Sequence, residues 1–280
     1  MADAWNEEKP AEEKVSKSEK KTDVKSSSGN VILPPGFEMF EPAIDIPSIR
    51  SFKLGVLGLD KSGKTWLAIN VPRPLYIFDT ENKAEVAVKQ LPKELQKDVF
   101  ILNIMQKVRD ANGDFDKVAA IDYMYDIMQK VKNLDHGTIV FDSYSAVTGW
   151  VAEWFNNSNE ILKDPKTGRP YRFEYGKSKA KYLAINELIQ QTKMNFVGTT
   201  WVKPAVDSKG NDLGYNVMDA KKNSGYFFEF YGELIKIGDT RRFVVRGSNY
   251  GNMEGFEIEN PTFNSIKDAI SKHTGVEFFN

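Results

Sequence analysis

The chain of 280 residues contains no cysteine. That excludes disulfides and every thiolate-based metal site. Histidine is almost as scarce, and His136 and His273 stand too far apart in sequence to suggest a metal cluster. No apolar run approaches the roughly 20 residues that a membrane span needs, and the N-terminus has no apolar core of the kind a signal peptide carries. The expectation is a cytoplasmic protein with no membrane partner. An excess of charge of either sign is missing too. The 38 Lys and Arg nearly balance the 39 Asp and Glu, for a net charge of −1. Any contact with nucleic acid must therefore rest on local basic patches, not on global attraction. The hydrophobic content of 41% and charged content of 28% are those of an ordinary globular chain.

Residues 1–30 mix Lys, Glu, Ser and Asp and hold few large apolar side chains. Such a segment cannot bury enough surface to offset its ordering entropy and reads as a disordered charged tail. Residues 31–50, opening Val31-Ile32-Leu33-Pro34-Pro35, read as an extended arm, and 51–280 as the folded domain. Strands are expected at 52–57, 74–79, 99–104, 137–142 and 194–200, and helices at 64–70, 83–90, 117–132, 144–157 and 176–192. Strands alternating with helices predict an α/β fold with a mostly parallel central sheet flanked by helices. Further on, 232–238 and 241–247 read as an antiparallel hairpin turning at Gly238-Asp239-Thr240. A strand at 255–259 and a helix at 261–273 close the chain.

The most specific motif is Gly58-Leu59-Asp60-Lys61-Ser62-Gly63-Lys64-Thr65, which fits G-x-x-x-x-G-K-[ST] without a mismatch. An apolar strand leads in and a helix beginning near Trp66 leads out, the context a phosphate-binding loop requires. Backbone N–H groups of Gly58 to Trp66 are expected around the phosphates of ATP, with the helix N-terminus adding partial positive charge. Lys64 is placed to reach the β- and γ-phosphates and Thr65 to hold Mg²⁺. Thr138-Ile139-Val140-Phe141-Asp142 is an apolar strand ending in an acid, which suits Asp142 to Mg²⁺ or to capping the next helix, a task Ser143 could share. Leu75-Tyr76-Ile77-Phe78-Asp79-Thr80-Glu81 puts two more acids at a strand end, where ligands of open α/β sheets bind. Glu81 is the candidate general base, Asp79 its competitor, and a turn capped by Thr80 the bland alternative.

Phosphate loop, strand ending Asp-Thr-Glu and strand ending Asp142-Ser143-Tyr144-Ser145-Ala146-Val147, in that order, resemble the RecA/RadA recombinase superfamily over about residues 51–250. The chain most resembles the short, single-domain RecA-like ATPases of phages and archaeal viruses, linked to single-strand annealing and recombination. The resemblance implies a RecA-like P-loop NTPase core that hydrolyses ATP with Mg²⁺, with Glu81 as general base. It also implies two DNA-binding loops. The first maps to Lys163–Phe173, with Lys163, Lys166, Arg169 and Arg172 beside Tyr171 and Phe173. The second maps to Lys203–Asn223, with Lys203, Lys209, Lys221 and Lys222, and reads as about twenty residues without clear structure. Basic residues would track phosphates and aromatics would stack on unpaired bases. A homo-oligomer follows, with Lys236, Arg241, Arg242 or Arg246 reaching a neighbour's γ-phosphate, and with Phe40-Glu41-Pro42-Ala43 as a docking arm. One departure stands out: recombinases carry Asn or Gln where this chain has Thr199-Thr200-Trp201, which puts their coupling of ATP to DNA in doubt. A DNA-packaging or helicase-type motor subunit, and a P-loop kinase with Arg169–Arg172 as its lid, are the competing readings.

Overall fold

The computed structural model describes Gly36, Met39 and residues 51–278. The chain divides into two units, Met1–Pro47 and Ser48–Asn280, and nearly all described residues belong to the second. The tail expected at 1–30 and the Phe40–Ala43 arm lie outside the described residues, as do the other residues of 31–50 apart from Gly36 and Met39.

From β1 (Lys53–Leu57) the chain runs through α1 (Lys64–Ile69), β2 (Leu75–Asp79), α2 (Ala84–Val88), α3 (Lys93–Gln96) and β3 (Val99–Asn103). It continues through α4 (Ile104–Lys107), α5 (Lys117–Val131), β4 (Thr138–Asp142), α6 (Tyr144–Asn157), α7 (Tyr175–Gln191) and β5 (Asn195–Thr200). Then follow β6 (Val202–Val206), β7 (Asp212–Met218), β8 (Phe230–Ile237), β9 (Thr240–Ser248), β10 (Glu257–Glu259) and α8 (Phe263–Thr274). Eight strands form one sheet in the order β10-β9-β8-β1-β5-β4-β2-β3. The six from β8 to β3 are parallel, and β9 pairs antiparallel with both β8 and β10. The expected mostly parallel sheet with a late antiparallel hairpin is therefore present.

Alternation along the strands sorts side chains onto two faces. Leu54, Val56, Ile77, Val140 and Val197 pack on one face with Leu67 and Ala68 of α1 and with Phe263, Ile266 and Ile270 of α8. Phe78, Ile139, Phe141 and Phe196 pack on the other with α5, α6 and α7. The helices start where their caps stand. Asp116 accepts from Val118 N and Ala119 N to open α5, and Ser143 accepts from Ala146 N to open α6. Thr262 and Ser265 form a reciprocal capping box on α8, which stops at Gly275 in a left-handed conformation.

Two expectations needed correction. Lys203–Asn223 is no structureless loop: β6 and β7 form a separate two-stranded antiparallel ribbon. Its turn is built by Asp207, whose carboxylate accepts from Lys209 N and Asn211 N. The ribbon buries little besides Ala205 and contains Pro204, so neither a hydrophobic alternation nor strand propensity marked it. The short α3 and α4 were also missed, since four-residue helices carry no readable period.

Lys53 opens β1 almost wholly buried and donates from Nζ to the carbonyls of Thr192 and Met194, at 3.0 and 2.6 Å. Burial lowers its pKa from 10.5 to about 8, with the Glu229 carboxylate opposing the shift. Between those values the unfolded chain holds the proton that the folded chain has released. Stability therefore rises with pH across that window, by about 3 kcal/mol. Denaturant titrations at about pH 7.5 and pH 10 should show this rise in the parent relative to Lys53→Met. Parallel pH dependence in the two proteins would refute it.

Candidate active site

The sheet order brings the C-terminal ends of β1, β5, β4 and β2 side by side. Register places Leu57 opposite Thr200 and Asp79 opposite Asp142. The phosphate loop leaves β1 at this edge. Ser62 N bonds to Leu59 O at 3.3 Å to close its turn, and Leu67 N bonds to Gly63 O to begin α1. A Cβ on Gly58 would lie 2.6 Å from Ser62 Oγ and 2.7 Å from Leu234 O, so the loop closes this tightly only without a side chain there. No side chain caps α1 and no acid sits in its first turn. Leu59, Asp60, Lys61 and Trp66 stand exposed on the rim. Lys64 Nζ lies back over the loop, donating to Gly58 O at 2.7 Å and Leu59 O at 2.8 Å. Burial lowers its pKa, while Asp60, Asp142 and Glu81 nearby pull it back up.

Asp142 ends β4 and is buried. Thr65 Oγ1 donates to one carboxylate oxygen at 2.8 Å, and Thr199 Oγ1 donates to the other. Desolvation raises the Asp142 pKa. The two hydroxyl bonds work against that rise, and the charges of Glu81 and Asp79 add to it. Capping of α6 falls to Ser143 and not to Asp142. Asp79 is wholly buried, and its carboxylate accepts from the backbone N–H groups of Glu81, Lys83 and Ala84. It therefore builds the turn into α2. Thr80, the cap of the alternative reading, exchanges hydrogen bonds with the Ser143 backbone. Glu81 is left at the surface of the site. Its Oε2 pairs with Lys83 at 3.0 Å, while Oε1 is buried and has no hydrogen-bond partner. Glu81, Lys83, Gly58, Leu59, Asp60, Trp201 and Val202 line a cavity of about 390 Å³.

These residues fit a nucleotide with its Mg²⁺. The lysine, the uncapped helix start and the loop backbone suit phosphates. Thr65 and Asp142, already in contact, offer a hydroxyl and a carboxylate. That is the sparse protein share of a Mg²⁺ shell completed by phosphate and water. No cluster of three or more acids and histidines exists among the described residues to form a separate metal cage.

The basic residues lie apart from this cavity. Asp164, Lys166, Thr167 and Gly168 form a tight turn, with Lys163 bridged to Pro170. Arg169 and Arg172 are exposed beside Tyr171 and Phe173, whose rings stack at 5.5 Å with 9° between planes. Lys203 pairs with Asp219 at 3.2 Å, Lys209 sits at the ribbon turn, and Lys221 lies over the Tyr182 ring. Lys203, Lys221 and Lys222 help line a larger cavity of about 860 Å³ between the ribbon and β8–β9, with Tyr215, Tyr226 and Arg246. Of the residues expected to reach a neighbour, Arg242 pairs with Glu257 and Glu259, and Arg246 pairs with Glu233. Lys236 is exposed, and Arg241 Nε donates to Ser62 O of the same chain.

The architecture is an α/β fold whose mostly parallel central sheet ends in an antiparallel hairpin. Among solved structures, the chain is similar to the crystal structure of the RadB recombinase, with a TM-score of 0.42 and 16% identity over 76% of this chain and 86% of that one. It is also similar to a prototypical ATPase from the type III secretion system of pathogenic bacteria, with a TM-score of 0.41 and 12% identity over 68% of this chain and 52% of that one. No protein-family profile matches the sequence, and no curated protein does. No helix among the described residues is long and apolar enough to cross a membrane.

Sequence reasoning missed how the sheet ties its acids to the ribbon. Thr199 is fully buried and spends its hydroxyl on Asp142. Just beyond it, Trp201 N donates to Ser145 Oγ at the start of α6. Tyr144 on the same helix bonds Tyr182 and Asn186 of α7, and Tyr182 bonds Ser224 beyond the ribbon. Burial raises the pKa of both tyrosines, so they are neutral partners throughout the ordinary pH range. The only sequence signal was the run of hydroxyl residues at 143–145 and 199–200.

Proposed function

We propose that this chain is a Mg²⁺-dependent RecA-like ATPase that acts on single-stranded DNA as an oligomer. In this reading it belongs with the short phage and archaeal-virus ATPases of annealing and recombination. The observation that carries the enzymatic part is Glu81. It shares a cavity with the phosphate loop and keeps one buried carboxylate oxygen without a partner. A buried acceptor in that state carries a desolvation cost that a hydrogen-bonded water would relieve. Lys64 and the loop N–H groups bind and orient the phosphates, and Thr65 with Asp142 holds Mg²⁺. When bound, the metal neutralises charge on the phosphate oxygens. Glu81 then orients a water and takes its proton. Asp79, with its oxygens engaged by three backbone N–H groups, is a poor alternative base.

The DNA part rests on the exposed parallel pair Tyr171 and Phe173, set among Lys163, Lys166, Arg169 and Arg172. Phe173 is 70% exposed, and an aromatic held open to solvent beside cations suits stacking of unpaired bases. ATP hydrolysis should rise at least about tenfold with single-stranded DNA at low salt, and the stimulation should fade as salt displaces the phosphate contacts. Phe173→Ala should weaken DNA binding by roughly fivefold to a hundredfold, the loss of one stacked base. Hydrolysis that ignores every nucleic acid would leave an ATPase but remove DNA from the proposal.

A further inference from the structure

We propose that Arg241 serves the nucleotide site of its own subunit, as a positioning residue for the phosphate loop, and not as a charge sent into a neighbour. The inference rests on the nucleotide-binding reading above and adds a residue to it.

Arg241 lies near the start of β9, opposite Lys236 of β8. Its backbone is fixed from both sides by one residue: Arg241 N donates to Asn260 Oδ1 at 3.2 Å, and Asn260 N donates to Arg241 O at 2.7 Å. From this anchored base the side chain crosses to the phosphate loop, where Nε donates to Ser62 O at 3.1 Å. The chain then lies flat against Gly63. A Cβ on that glycine would stand 2.6 Å from Arg241 Nε and 3.2 Å from its Cδ. Gly63 also has φ of +104°, a conformation that L side chains rarely adopt. Glycine at 63 thus meets two demands together, the turn of the loop and the passage of the arginine.

The neighbouring arginines of β9 are otherwise engaged. Arg242 pairs with the carboxylates of Glu257 and Glu259, and Arg246 with that of Glu233. Arg241 has no carboxylate partner among the described residues, and its side chain makes its hydrogen bond to the loop backbone alone. The peptide between Ser62 and Gly63 is planar, so its C=O and N–H point in opposite directions. Holding the Ser62 carbonyl therefore also fixes the direction of Gly63 N–H, one of the donors that a phosphate loop offers to its ligand. Preorganising that donor lowers the ordering cost of binding.

The test is equilibrium binding of a fluorescent ATP analogue with Mg²⁺ to the full chain, together with thermal melting without nucleotide. Arg241→Met keeps the side chain as far as the position of Nε and loses the donor. Arg241→Gln keeps an amide N–H at the same position along the side chain as Arg Nε and loses the charge. We expect about tenfold weaker binding for R241M, the usual effect of one lost hydrogen bond. R241Q should stay within about threefold of the parent, and both variants should melt as the parent does. Unchanged affinity in R241M overturns the role. So does R241Q falling as far as R241M, since charge and not the bond would then matter. A third disproof would be recovery of hydrolysis on mixing R241M with Glu81→Gln, which would show the arginine acting across an interface. If the parent itself binds no nucleotide while remaining folded, the nucleotide reading falls and this role falls with it. Parent binding that Lys64→Ala abolishes, with R241M unaffected, removes the arginine role alone.

Discussion

Glu81→Gln is expected to reduce ATP turnover by about a hundredfold to ten-thousandfold, the range in which a positioned general base contributes. Affinity for ATP should stay within about threefold of the parent, because no hydrogen bond joins the Glu81 carboxylate to the phosphate loop. Its bonded oxygen is held by Lys83, and its other oxygen is buried without a partner in the shared cavity. The glutamine keeps the size and an acceptor oxygen but cannot take a proton. Single-turnover hydrolysis and equilibrium binding measured on the same preparation separate the two effects. Unchanged turnover would move the base elsewhere. Asp79→Asn would be the next variant, although it should act mainly through the α2 turn that its carboxylate builds.

Lys64→Ala should act on the opposite quantity. Lys64 Nζ now donates to the Gly58 and Leu59 carbonyls, so its ammonium already stands over the loop where phosphate oxygens would replace them as acceptors. Bonds to charged groups contribute roughly 1.5–3 kcal/mol each. Losing two of them should weaken nucleotide binding by at least about a hundredfold. The fold should persist, because Lys64 is only half-buried and anchors no core residue. Normal affinity in a folded Lys64→Ala protein would sink the assignment of the site. The pair of variants therefore splits binding from turnover, with Lys64 failing in the first and Glu81 in the second.

Much of this was legible in the sequence, for a local reason. A phosphate loop is eight consecutive residues between a strand and a helix, and Gly58–Thr65 carry the pattern whole. The parallel strands are short apolar runs, and their ends are marked by Asp79 and Asp142. Helix starts are marked by Asp116, Ser143 and Thr262 within a few residues of the groups they cap. Each of these signals is complete within one turn or one strand. The β6–β7 ribbon was not legible, because a strand pair that buries almost nothing leaves no apolar alternation to read.

Strand order supplied what remained. The sequence by itself determined that an acid ends β2 and another ends β4. Only the tertiary structure decided that Asp79 would be consumed by a turn, that Glu81 would share a cavity with the loop, and that Asp142 would take a hydroxyl from each of Thr65 and Thr199. The same holds for Arg241. As one cation among several on a late hairpin it had no distinguishing mark, until the placement of β8 beside β1 carried it to Ser62. These contacts join residues far apart in the chain. They exist because the sheet closes in one particular order, which is a property of the whole packed core and of no single segment.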